Sequence, residues 1–208
     1  MTGRFHSRFQ KTSRFVVTTV LASVLLLTIG CTAKVEPVFT AGEFQTDRPK
    51  QLGSVVLCVT EAMRDYRGTS ADPLALHEWE FTLGPALIDA FKYSLESRVH
   101  TALISLGEPR FPSRRAQLFV VPAVVKFEAT EPVIVRIEEY HVYLDVRVNV
   151  YDGKGRELMC KTYSSHGRKG GELSLESAGH AAHPMAAKVA IRQIVDEATN
   201  DVVALLTP

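Results

Sequence analysis

The 208-residue sequence lacks the short motifs that mark common catalytic chemistry. It has no GxSxG elbow for a serine nucleophile, no HExxH helix for zinc, no GxxxxGK(S/T) loop for a phosphate and no GxGxxG turn for a dinucleotide. Excess charge is missing too. Lys and Arg number 24 against 23 Asp and Glu, whereas a nucleic-acid binder wants a strong basic surplus. Cysteine is scarce, at three residues. No internal repeat and no low-complexity run appears. No apolar run reaches the roughly 20 residues that a spanning helix needs. An enzyme, a nucleic-acid partner and a cofactor are therefore not expected.

What is present begins at the N-terminus. Arg4, Arg8, Lys11 and Arg14 precede Phe15–Ile29, a run that is apolar apart from Ser and Thr. Without those four cations the rest of the chain is mildly acidic. The segment closes on Leu27-Thr28-Ile29-Gly30-Cys31. A positive leader, a short apolar run and a small-residue exit make a secretory signal. The ending resembles the lipobox of bacterial lipoproteins, with Thr28 where Leu is commoner. That resemblance implies cleavage before Cys31, a diacylglyceryl group on its thiol and acylation of the new amino terminus. It also implies an outer-membrane address facing the periplasm, because Thr32 is not the Asp that retains such proteins at the inner membrane. An ordinary cleaved signal, or an uncleaved anchor ending in a chance cysteine, is the plainer alternative.

The expected organisation is a signal peptide over 1–30, a lipidated N-terminus and flexible tether over 31–52, and one domain over 53–208. Residues 32–52 show no sustained period, hence the tether. Cys58 and Cys160 are then the cysteines of an oxidising compartment. A disulfide between them would close a loop of about a hundred residues; two small buried apolar residues is the other reading.

Ser54–Thr60 is short and Val-rich, a buried strand. Gly84-Pro85 opens a helix, proline being tolerated in a first turn. Leu87, Ile88, Phe91, Leu95, Val99 and Ala102 recur at helical steps as far as Gly107. Trp79 and Phe81 either extend that helix backwards or plug its start. Gln117–Phe127 reads as a strand, at an edge or bulged where Pro122 interrupts it. Val133–Tyr151 alternates on odd numbers and then on even ones, so a bulge or break is expected near Glu138-Glu139. Asp152-Gly153-Lys154-Gly155 is a hairpin turn, and Arg156–Ser165 returns as a strand. Gly167–Gly171 opens an irregular loop that runs to about Gly179, with an anion nest at its start as the sharper option. Pro184 starts a second helix, with Ala187, Ala190, Ile191, Ile194, Val195, Ala198, Val202 and Leu205 on one face. The order β-α-β-β-β-α makes an α+β fold, an antiparallel-dominated sheet with two helices packed on one face.

Two groups of residues stand out as candidate sites. His141, Tyr143, Asp145, Arg147 and Asn149 alternate with apolar neighbours, so they share one polar strand face. They suit a partner surface or a solvated face better than convergent acid–base work. His180 and His183, with His166 elsewhere, are the best metal candidates. Pro184 beside them and the lack of an obvious carboxylate or thiol ligand favour solvated loop histidines, so no metal is expected. Glu138 and Glu139 are adjacent and do not make a catalytic pair.

Together these parts resemble the auxiliary lipoproteins of ABC-type (MCE) intermembrane transport systems. The resemblance runs from Ser54 to Leu206. It rests on Trp79-Glu80-Phe81-Thr82-Leu83-Gly84-Pro85-Ala86-Leu87, on Lys126-Phe127-Glu128, on the turn at Asp152-Gly153, and on Val202-Val203-Ala204-Leu205-Leu206. The region up to His77 departs from that family by its length. Lipopolysaccharide-assembly, penicillin-binding-protein-activator and curli-secretion lipoproteins are more loosely similar. The resemblance implies a non-enzymatic accessory subunit, anchored to the membrane through Cys31 and docked on an envelope protein complex. The alternative is a lipid- or glycan-binding module with its ligand between helices and sheet.

Overall fold

The structure, a computed structural model, describes residues 32–70, 78–113, 116–130, 139–170 and 178–206, without the side chains of 178–181. The fold is α+β. A five-stranded sheet carries β2 (Gln51–Val59), β5 (Val99–Leu106), β6 (Leu118–Thr130), β7 (Glu139–Asp152) and β8 (Glu157–Gly170), in the order β5-β2-β6-β7-β8. A three-stranded sheet carries β1 (Thr32–Val35), β3 (Arg67–Thr69) and β4 (Glu78–Thr82), in the order β1-β4-β3. Two long helices, α2 (Leu83–Arg98) and α3 (Ala178–Ala204), pack on the larger sheet, α2 against β2 and β5 and α3 against β7 and β8. A short helix α1 (Glu61–Arg64) and a 3-10 turn at Ala41–Phe44 complete the described elements.

Several expectations need correction. The sheets are mixed rather than antiparallel-dominated, since β2 runs parallel to both β5 and β6, and β1 runs parallel to β4. The helical stripe does not continue past Arg98. Val99 is already extended, at φ −119° and ψ 155°, and the chain passes straight into β5. Val99 and Ala102 are strand residues paired with Gln51 and Val55. Trp79 and Phe81 belong to neither a helix nor a plug but to β4, where alternation turns them inward and Glu78 and Glu80 outward.

Residues 32–44 of the expected tether are packed into the fold. Thr32–Val35 pair residue for residue with Glu78–Phe81. Val35, Phe39 and Phe44 are buried in the main core, each contributing about 1.5–3 kcal/mol if fully removed from water. Thr40 N–H donates to Glu43 Oε1 at 3.1 Å, and Lys188 Nζ on α3 lies 3.0 Å from Glu43 Oε2. Burial alone would raise the Glu43 carboxyl, but Lys188 and the Thr40 hydrogen bonds outweigh it and hold it below the usual range.

Other local readings match the backbone. Pro122 sits within β6 opposite Val148. β2 pairs only as far as Val120, so the missing N–H falls where that flank is open. The bulge lies at Val125 of β6, between the pairs Val124–Val146 and Lys126–Asp145. The one expected near Glu138-Glu139 falls mostly outside the described residues, and Glu139 begins β7. The turn forms as read: Asp152 accepts from Gly155 N–H at 3.0 Å and its Oδ1 from the amides of Lys154 and Arg156 at 2.9 Å. Gly155 adopts φ +88°, where a side chain would be strained.

The second helix begins at Ala178, so Pro184 lies inside it. Proline removes one helical hydrogen bond, while burial of Ala182 and His183 holds the turn around it against the core. Ala187, Ala190, Ile191, Ile194, Val195, Ala198 and Val202 are buried; Leu205 is not. α3 is tied to its surroundings by polar contacts as well. Arg98 Nη2 lies 2.8 Å from Asp196 Oδ1. Asp201 Oδ2 accepts from Lys161 Nζ and from the hydroxyl of buried Tyr163, each at 2.7 Å. Those two bonds hold the Asp201 carboxyl below the usual range.

Gly167 is part of β8, not a loop, and the same holds for Arg168, Lys169 and Gly170. Its backbone lies so close to α3 that a Cβ would collide with the Ala186 carbonyl oxygen and approach the Ala190 nitrogen at 2.8 Å. Gly167→Val should therefore force helix and strand apart and destabilise the domain by about 1–3 kcal/mol or more. Urea unfolding of residues 32–208 measures it. Wild-type stability in that variant would show that the two elements are not in contact.

Candidate interaction surface

β7 sorts its side chains cleanly. Val142, Leu144, Val146, Val148 and Val150 point into the core and are 1% exposed or less. His141, Tyr143, Asp145, Arg147 and Asn149 take the opposite face of the sheet, away from both helices, as their alternation predicts. On β6 they are flanked by Thr130, Glu128, Lys126, Ala123 and Val121, and on β8 by Arg168, His166, Ser164, Thr162 and Cys160.

At one end of this row the rings form a stack. Tyr143 and His166 lie parallel, with centroids 4.3 Å apart and an interplanar angle of 3°. His141 Nδ1 sits 2.8 Å from His166 Nε2, so one ring donates and the other accepts. Tyr143 remains 40% exposed. Charges of both signs surround it: Lys126 Nζ is 3.0 Å from Glu128 Oε1, and Arg168 Nη1 is 3.7 Å from Glu139 Oε2. An exposed tyrosine among arginines is the residue mix that dominates protein–protein binding energy.

The expected part of His166 as a metal candidate changes here. His166 lies on the open face, whereas His183 is on α3 beneath the sheet and fully buried. His183 is thus no solvated loop residue. It is packed among rings, with centroids 4.4 Å from Tyr140, 4.6 Å from Trp79 and 5.5 Å from Phe81. The His180 side chain lies outside the described residues. Among the described residues, no three His, Cys, Asp or Glu side chains converge as a metal site. Counting back from the turn at Asp152 would set Ser165 opposite Tyr143; the register shift between Val150 and Tyr151 brings His166 there instead, so this stack was not legible in the sequence.

The disulfide must also be corrected. Cys58 is buried and Cys160 exposed, and both are free. β6 and β7 lie between their strands, which puts them about 14 Å apart at the usual strand spacing, beyond the reach of a disulfide. Burial, helped by Glu108, pushes the Cys58 thiol up to about 11. Cys58 joins Val56, Ala116 and Phe119 in a small apolar cluster on the open face, where Phe111 packs edge-on against Phe119 at 5.0 Å. Cys31 lies outside the described residues.

Two further surfaces were not legible in the sequence. The edge strand β5 exposes Leu103, Ile104 and Leu106, apolar residues on a strand with one unpaired flank. An open cleft of about 350 Å³ is lined by Ala41, Gln45, Thr46, Asp47, Lys50, Tyr93, Glu96 and Ser97.

No protein-family model matches the chain, and no curated protein matches it in sequence. Solved structures do. Protein XCC0632 from Xanthomonas campestris, of family DUF330, superposes with a TM-score of 0.50 at 12% identity, over 84% of this chain and 94% of that one. The two chains share a fold. Weaker likenesses are the hypothetical protein CT253 from Chlamydia trachomatis (TM-score 0.46, 13% identity, 76% and 99% covered) and a putative lipoprotein from Caulobacter crescentus (TM-score 0.41, 12% identity, 72% and 89% covered).

The cysteines give a direct check. In the folded domain, residues 32–208, a maleimide should modify Cys160 at once and Cys58 only after unfolding, as read by intact mass. Mild oxidation should leave the monomer without an internal disulfide. A mass loss of two hydrogens with Cys58 and Cys160 joined would contradict this sheet order.

Proposed function

We propose that the chain is a non-enzymatic, membrane-anchored lipoprotein whose α+β body docks on a cell-envelope transport or assembly complex. The observation that carries this reading is the position of Cys31. The basic leader and apolar run end on it, and the first described strand starts at the next residue. Everything ahead of the fold has the character of a secretion signal, and the cysteine stands where a lipobox places its acyl acceptor. The sequence resemblance to the auxiliary lipoproteins of ABC-type (MCE) transport gives the reading its most specific form. The outer membrane, with the body in the periplasm, is the compartment that Thr32 after the cysteine favours.

The open sheet face supports docking. It presents Tyr143, Arg147 and Arg168 without a covering element from the described chain, and Asp145 with Arg147 offers both charge signs for selecting a partner. The alternative, a lipid held between helices and sheet, finds that space filled. Leu144, Val146 and Val148 there meet Ala186, Ala187, Ala190, Ile191 and Ile194, all buried in one cluster.

Metabolic labelling with palmitate should mark the wild-type chain and not Cys31→Ser. Cross-linked envelopes should yield the wild-type chain with a discrete envelope complex. Arg147→Glu combined with Tyr143→Ala should lose that complex several-fold while keeping the fold and the label. Unchanged recovery of the complex with this double variant would remove the β7 row from the interface. Recovery of no envelope complex with the wild type would contradict the docking role itself.

A further inference from the structure

We propose that the β1 end of the domain lies directly against the lipid headgroups, with the β7–β8 hairpin pointing away from the membrane. This rests on the anchor at Cys31 proposed above and names the face which that anchor holds to the bilayer. The first observation is the length of the connection. β1 begins at Thr32, and neighbouring Cα atoms are about 3.8 Å apart. The lipidated residue is thus one peptide from the first paired strand residue.

The second observation is that this strand has no play. All four of its residues pair with β4. Downstream, Phe39 and Phe44 are buried with their rings 5.6 Å apart, and Lys188 of α3 holds Glu43. To gain slack, the chain would have to strip this segment from its core.

The third observation fixes the direction. Ala33 is level with Trp79. Trp79 lies on His183, and His183 lies on Tyr140, which pairs with Lys169 near the end of β8. Two residues further along β1, Val35 is level with Phe81, whose ring packs on Phe127, opposite Leu144. β1 therefore runs inward from the end of the molecule where β7 starts at Glu139 and β8 stops at Gly170. Thr32 is its outermost residue. The turn at Asp152–Arg156 is at the other end of the same two strands, about 40 Å away at the usual rise per residue.

The chemistry of the near end suits headgroups. Thr32, Lys34, Glu78, Glu139, Arg168 and Lys169 are exposed there, polar and of both signs. The described residues at this end suit contact with a zwitterionic headgroup layer. The acyl chains supply the attachment, at about 0.8 kcal/mol for each buried CH2. The β7 row then runs along the membrane normal with its side chains facing sideways, and the hairpin is the part that reaches furthest into the compartment.

The full chain, purified with its acyl groups, would be reconstituted into phosphatidylethanolamine and phosphatidylglycerol vesicles carrying a headgroup-nitroxide lipid. A fluorophore would be placed at Lys169→Cys or at Lys154→Cys, both in a Cys160→Ser background. Quenching at position 169 is expected to exceed that at 154 several-fold. Inserting a Gly/Ser linker of about 20 residues between Cys31 and Thr32, with a root-mean-square span of about 25 Å, should abolish the difference. Equal quenching at the two positions in chains whose mass shows acylated Cys31 would overturn the orientation and leave the anchor standing. Chains without acyl groups on Cys31 would overturn the anchor, and this proposal with it.

Discussion

The contact between α3 and the strands β7 and β8 holds the rest of the molecule in place. At Gly167 the approach is so close that only a hydrogen fits on the Cα. From this one helix the other parts are fastened. Asp196 holds Arg98 of α2, Lys188 holds Glu43, and Asp201 holds Tyr163 and Lys161. Buried His183 joins the small sheet, through Trp79 and Phe81, to Tyr140 at the start of β7. Small residues on the buried face of α3 (Ala186, Ala187, Ala190 and Ala198) allow the closeness, and polar residues on its flanks use it.

Residues 32–44 show how that constraint bears on function. They have no period of their own and read locally as a spacer. They are ordered because Val35 finds a place beside Phe81 and because Phe39 lies under Lys188, whose ammonium is 5.1 Å from the ring centroid. These partners are far away in sequence, so no local pattern announces them. The outcome is a domain whose core begins at its proposed anchor rather than after a stalk.

What was legible and what was not divides along the same line. The β7 alternation, the turn at Asp152–Gly155 and the apolar stripe of α3 were readable because each is a short-range pattern of period two, four residues or 3.6. β5 was not, because Val99 and Ala102 continue the helical spacing of Leu95, and only parallel pairing with β2 makes them strand. β4 was hidden in the same way: Trp79 and Phe81 fit either a helix start or a strand until Ala33 and Val35 lie beside them. Of the candidate surface, the row from His141 to Asn149 was found by alternation alone. Its partner ring His166 needed the strand register, and the fate of Cys58 and Cys160 needed the strand order. The loop reading failed over Gly167–Gly170 because composition speaks for flexibility, while a close-packed strand uses the same glycine for want of a side chain.

The central claim is that the segment after Cys31 is part of the folded body, and that the anchor therefore sets the pose of the whole domain. Hydrogen exchange of the amides between Ala33 and Phe44 tests it most directly. Within a paired strand and a buried turn, the hydrogen-bonded amides of this segment should exchange as slowly as others that open only with the domain. Full exchange at the rate of an unstructured peptide, with β7 and α3 still protected, would show a tether and contradict the account.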